Sequence, residues 1–133
     1  MEQTLSIIKP NAFKKKLVGK IITLIEEQGM EITAARVKTL SRAEAEGFYA
    51  EHRERPFFQG LVSFMTSGPV MLMALHGQGA VEKYRKLMGA TDPAKAAPGT
   101  IRKLYGENIE ANSVHGSDSP ASASREVAYF FKQ

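Results

Sequence analysis

Val70, Met71, Leu72, Met73, Ala74 and Leu75 follow one another without a polar side chain, directly after the break Ser67-Gly68-Pro69. A run of this length between turn signals reads as a β-strand covered on both faces. The rest of the chain therefore has to supply a sheet around it and layers to cover it.

The flanking segments offer both. Thr4 to Lys9 is the first strand candidate and is stopped by Pro10. Leu17, Ile21, Leu24, Ile25 and Gln28 share one helical face over residues 17–28, with Gly29 as the stop. Residues 30–40 lean to strand. Ser41-Arg42-Ala43-Glu44 has the capping-box spacing and starts a second helix that fades before Pro56. Phe57 to Met65 and Ala80 to Met88 read as further helices, residues 100–105 as a short helical turn, and the stretch around Val114 as a short strand. Ser119-Pro120 pairs a good N-cap with a proline at the first helical position, opening a last helix over about 120–127, followed by an apolar end to Phe131. Residues 91–100 and the five-serine stretch 113–124 read as extended loop or turn. Strands and helices interleave, which makes the class α/β or α+β; periodicity leaves the strand order open.

The 133 residues suit one compact domain with its own core. The absence of cysteine excludes disulfides, zinc–thiolate sites and iron–sulfur ligation, and suits a reducing compartment. Met1-Glu2-Gln3 does not open a signal peptide, and no segment nears the ~18 apolar residues of a membrane span. A cytoplasmic protein without a membrane association is expected. The net charge of +4 suits a polyanionic ligand without requiring one.

Three histidines are available for chemistry. His52 sits among charges, and His76 ends the apolar strand. His115 lies in Asn112-Ser113-Val114-His115-Gly116-Ser117-Asp118-Ser119. Gly116 removes bulk beside the ring and would let a ligand approach, and Ser117, Asp118 and Ser119 can fix the ring's tautomer. A polar turn with a helix cap would have the same composition. Neither a G-x-x-x-x-G-K-[ST] loop nor a G-x-G-x-x-G loop occurs, so any phosphate must be held mainly by side chains. Lys9, Arg85 and Arg102 are the candidates, each equally readable as a solvated charge. Nothing has metal-ligand spacing. Phe57-Phe58 reads as core, or as a stacking platform at the start of a helix.

Asn112-x-x-His115-Gly116-Ser117-Asp118-Ser119 resembles the active-site signature of the nucleoside diphosphate kinases, a highly specific motif. The likeness runs through Ser6-Ile7-Ile8-Lys9-Pro10, Phe48-Tyr49, Arg55-Pro56-Phe57-Phe58, Ser67-Gly68-Pro69-Val70, Tyr84-Arg85-x-x-Met88-Gly89-x-Thr91 and Pro98-Gly99-Thr100-Ile101-Arg102, in the family's order and spacing. It implies an α+β fold, a ferredoxin-like four-stranded antiparallel sheet with helices covering one face, in a single domain over residues 1–133. It implies transfer of a γ-phosphate between nucleotides in two steps through phosphohistidine at His115, maintaining nucleoside triphosphate pools. Lys9, Tyr49, Arg85, Thr91 and Arg102 would surround the phosphates. Asn112 and Lys9 would reach the ribose, and Phe57 would stack on the base. Ser117 and Glu126 would support His115. Mg²⁺ would ride on the nucleotide phosphates rather than on protein side chains. The partners implied are nucleoside tri- and diphosphates and further copies of the chain, as a homo-oligomer with the tetramer favoured, since short C-termini resemble bacterial members. Two positions depart from the pattern: Asn11, where aspartate is usual, and Ala111, where arginine or glycine is common. The rival readings are a ferredoxin-like module that binds RNA without turnover, which lacks its aromatic strand motif here, and a relative without catalysis, against which every catalytic position is intact.

Overall fold

The computed structural model describes residues 2–131; Met1, Lys132 and Gln133, which the expected 1–133 domain includes, lie outside the described residues. The strands are β1 (Glu2–Ile8), β2 (Glu31–Lys38), β3 (Val70–Gly77) and β4 (Val114–Gly116). Among the described residues seven α-helices accompany them: α1 (Pro10–Lys14), α2 (Val18–Glu27), α3 (Arg42–Phe48), α4 (Phe58–Met65), α5 (Ala80–Met88), α6 (Ile101–Tyr105) and α7 (Pro120–Phe130). The sheet order is β2-β3-β1-β4, and every neighbouring pair is antiparallel. This is the expected ferredoxin-like arrangement, with β3 and β1 central.

Side chains alternate across the central strands, so the two faces bury different sets. Leu5, Ile7, Val70 and Leu72 pack with Ala45, Tyr49, Phe58, Val62, Met65 and Phe130 from the α3, α4 and α7 side. Ile8, Met73 and Leu75 pack with Ala12, Ile21, Ile25, Tyr84, Met88 and Ile101 from α1, α2, α5 and α6. Helical cover therefore extends beyond one face to both, as the run at 70–75 requires. Each fully buried aliphatic side chain contributes about 1.5–3 kcal/mol.

Local signals place the elements. Ser41 and Glu44 form the capping box at the start of α3, and Ser119 caps α7 with Pro120 at its first turn. Gly29, at φ 81°, follows the end of α2. Pro10 ends β1 but also begins α1, because a proline at the first helical position gives up only an N–H that has no helical partner. The apolar end after Val127 is helical to Phe130, three residues past the expected stop. The 91–100 loop holds one short 3-10 turn, Pro93–Lys95, capped by Asp92. Among the described residues no helix is long and apolar enough to cross a membrane.

Candidate active site

A cleft of about 1090 Å³ opens at the β4 edge, lined by residues from both helical layers. His115 projects from β4, opposite Ile7 of β1. Its neighbours in sequence, Val114 and Gly116, point to the other face of the strand. Gly116 proves to be a packing glycine. A Cβ there would stand 2.6 Å from Met88 Cε and 2.7 Å from the Tyr84 ring, so β4 meets α5 only because the side chain is missing. The close approach expected of a ligand is made by the core.

The imidazole is held from two sides. Nε2 lies 3.0 Å from Glu126 Oε1, and the same oxygen accepts a 2.8 Å hydrogen bond from Ser117 Oγ. Ser117 Oγ in turn accepts from the backbone N–H of Leu5 at 3.1 Å, which anchors the chain to the centre of the sheet. Phe48 packs edge-on against the imidazole, with ring centroids 5.2 Å apart. Burial pulls the His115 pKa below its ordinary value, and the charges of Lys9 and Arg102 add to this, while the Glu126 hydrogen bond opposes it. Burial pushes Glu126 up, but the bonds from His115 and Ser117 outweigh it and hold the carboxylate ionised. An ionised acceptor fixes the proton of neutral imidazole on Nε2 and leaves Nδ1 with a free lone pair.

The cations converge on the same space. Lys9, at the end of β1, is buried and donates to Asn112 Oδ1 at 2.8 Å. Burial, with Arg102 adding and Glu110 opposing, lowers its pKa to about 7. Arg102 comes from α6 and is 9% exposed. Its guanidinium is partly occupied, since Nη1 donates to Gly89 O at 3.1 Å and Nη2 to Val114 O at 2.8 Å. The fork expected among the phosphate contacts thus also ties β4 to the end of α5. Arg85 lines the cleft from the exposed side of α5.

The remaining expected residues also reach the cleft. Thr91 stands at its lip, and its carbonyl accepts from Asn112 Nδ2 at 3.0 Å. The Tyr49 hydroxyl is buried without a partner, and burial raises its pKa strongly, with Glu126 adding. The Phe57-Phe58 pair divides: Phe58 is core, whereas Phe57 is 49% exposed at the mouth, its ring 5.6 Å from that of His52. Of the expected site residues only Ser117 does not line the cleft; it lies behind His115. Sequence reasoning assigned no role to Phe48, Ile109 or Glu110, which line it too, as does Asp118, expected to help orient the imidazole. Ile109 sits in an irregular stretch where no periodicity can flag it. Among the described residues no three His, Asp or Glu side chains converge as a metal cage.

This geometry has relatives. The family model described as nucleoside diphosphate kinase matches residues 2–133. A nucleoside diphosphate kinase of Bdellovibrio bacteriovorus is 61% identical over 133 residues, all of this chain and 94% of that protein. One of Sorangium cellulosum is 59% identical over 131 residues, 98% of this chain and 91% of that protein. Among solved structures, the Aquifex aeolicus nucleoside diphosphate kinase superposes with a TM-score of 0.96 at 42% identity, covering 98% of this chain and 95% of that one. The Halobacterium salinarum enzyme in complex with CDP gives a TM-score of 0.96 at 42% identity, over 99% of this chain and 88% of that one. With the whole described fold and nearly the whole sequence matched, the chain belongs to the nucleoside diphosphate kinase family.

Proposed function

We propose that this chain, as a single domain, moves the γ-phosphate of a nucleoside triphosphate to Nδ1 of His115 and then to a nucleoside diphosphate. The observation that carries the mechanism is the fixing of His115 Nε2 by Glu126, which turns an unprotonated nitrogen toward a cleft lined by cations. Nδ1 attacks the γ-phosphorus, an N–P bond forms, the bond to the β-phosphate oxygen breaks, and a diphosphate leaves. A second diphosphate reverses the steps. Phosphoryl transfer asks for alignment and charge neutralisation more than for proton relays, and Lys9, Arg85 and Arg102 supply cationic side chains around the reacting group. Tyr49 OH, buried without a partner, is available to a phosphate oxygen. Phosphates beside Lys9 would favour its charged form, since a nearby anion raises the pKa of an ammonium.

Mg²⁺ suits this donor set as a passenger on the nucleotide, where it would neutralise phosphate charge. At the mouth, Phe57 and Ile109 offer apolar surface to the base, while Asn112 and Lys9 lie deeper for the ribose. Stacking discriminates little among bases, so broad diphosphate acceptance follows. The Halobacterium relative's complex with CDP supports a nucleotide in this cleft. An RNA-binding sheet needs an open face, and both faces here carry helices, so nucleic acid is not the main partner. The open edge of β2, with Val37 54% exposed, is surface that assembly into a homo-oligomer, a tetramer in this reading, would cover. Light scattering that gives a monomer at micromolar concentration would remove that part. The enzyme would work in the cytoplasm on nucleotide pools. Steady-state assays with ATP and a panel of diphosphates test the whole reading: purine and pyrimidine acceptors should differ by about 10–100-fold in kcat/KM, and His115→Ala should abolish transfer while keeping the fold.

A further inference from the structure

We propose that Asn11 is a positioning residue, whose side-chain amide clamps the 111–113 turn and so sets Asn112 in the nucleotide cleft. Asn11 Nδ2 lies 3.1 Å from Ala111 O, 3.0 Å from Ser113 Oγ and 3.3 Å from Glu107 Oε2. All three partners face the amide as acceptors. Ser113 has committed its own hydroxyl proton to Tyr105 O at 2.8 Å. The opposite amide oxygen is buried without a partner. The orientation is thereby fixed, because flipping would set an oxygen against a carbonyl and a carboxylate.

The clamped turn needs holding. Ser113 has φ 78°, a conformation that residues with a side chain rarely adopt. Val114 N–H bonds back to Asn112 O at 3.0 Å, closing a three-residue turn around Ser113. Lys9 N–H to Ser113 O, at 2.8 Å, ties the same turn to the end of β1. Asn112 emerges from it with its oxygen on Lys9 and its nitrogen on Thr91 O. His115 is held separately by the β1–β4 pairing, so loosening the turn should misplace Asn112 more than the nucleophile. The two departures from the family's pattern, Asn11 and Ala111, are in contact here: one donates to the other's carbonyl.

This inference rests on the proposed activity, and its test includes a readout that does not. Asn11→Asp keeps the shape and replaces two donors by a carboxylate facing Glu107, which already pairs with Lys15 at 2.8 Å. Asn11→Ala removes the donors without adding charge. Both should raise nucleotide KM about tenfold while kcat, per phosphorylatable site, changes less than about threefold. The Asn11→Asp defect, as a ratio to wild type, should shrink between pH 8 and pH 5 as the carboxyl gains a proton to donate; the Asn11→Ala defect should stay level. Amide hydrogen exchange at Ser113 and Val114 should quicken in both variants, with exchange in β1 unchanged. Wild-type KM in both variants, or a loss of active sites at unchanged KM, would overturn the proposal. So would unchanged exchange at 113–114. If wild type transfers no phosphate but exchange quickens as expected, the clamp stands and the proposed activity falls.

Discussion

Arg102→Ala should damage rate and stability together, and Arg85→Ala rate alone. The Val114 carbonyl loses a buried 2.8 Å donor, at a cost of about 1–3 kcal/mol. The Gly89 carbonyl loses a 3.1 Å donor where water can partly replace it, about 0.5–1.5 kcal/mol. Removing a cation next to Lys9 relieves some repulsion, so the net loss should be about 2–3 kcal/mol. For a domain of this size that lowers Tm by roughly 6–12 °C. On the proposed mechanism the same variant also loses a donor to the developing phosphate charge, about 2–4 kcal/mol or roughly 30- to 1000-fold in kcat/KM. Arg85 is exposed, so its alanine variant should melt within about 0.5 kcal/mol of wild type while losing rate on the same scale. Arg→Lys recovers only part at either position, because an ammonium cannot reproduce the fork. Thermal melts and steady-state kinetics of the four variants decide it. A wild-type Tm for Arg102→Ala would refute the structural half, and wild-type kcat/KM in both alanine variants would leave the phosphate site without its proposed cations.

Gly116→Ala should destabilise by about 1–3 kcal/mol through overpacking against Tyr84 and Met88, read as a lower urea midpoint; an unchanged midpoint would mean that α5 can yield. Glu126→Gln should lower the single-turnover rate of His115 phosphorylation about 10–100-fold while nucleotide affinity holds, since it removes the ionised acceptor that fixes Nε2. In the free enzyme the acid limb of kcat/KM should lie below pH 6.5, because His115 is held under its ordinary value. An alkaline limb near pH 7 should mark Lys9 and vanish in Lys9→Gln. Stability follows the same groups. Lys9 titrates at about 7 folded against 10.5 unfolded, so the unfolded chain binds more protons in between and stability rises with pH across that window. For His115 the unfolded chain binds more protons just below 6.5, so stability falls as pH drops through that range.

The sheet was legible wherever burial imposed a pattern. The six apolar residues at 70–75 announced a strand covered twice, and the structure covers it twice. Caps at Ser41 and Ser119 located α3 and α7 because their chemistry is local. Five-residue α1 was invisible: Pro10 signals both an end and a beginning, and one helical turn has no period. The sequence around Gly116 suggested close approach by a ligand, whereas Tyr84 and Met88 make it, arriving from 28 to 32 positions away. Phe57 and Phe58 are adjacent and alike, and only the turn of α4 sends one to the core and the other to the cleft mouth. The reach of Arg102 to Gly89 and Val114 carbonyls depends on how α5, α6 and β4 converge, which no local pattern encodes. His115, Lys9, Arg85 and Arg102 were candidates on residue type and setting; the family resemblance gathered them with the rest of the cleft, and the hydrogen bonds among them came from the fold.

The most direct test of the proposed mechanism is to find where the phosphate goes. Wild-type protein incubated with γ-labelled ATP should acquire close to one acid-labile, alkali-stable label per chain, located by NMR on Nδ1 of His115 and discharged by any nucleoside diphosphate. His115→Ala should acquire none. Label on Nε2, label on a serine hydroxyl, or undiminished labelling of His115→Ala would contradict the mechanism.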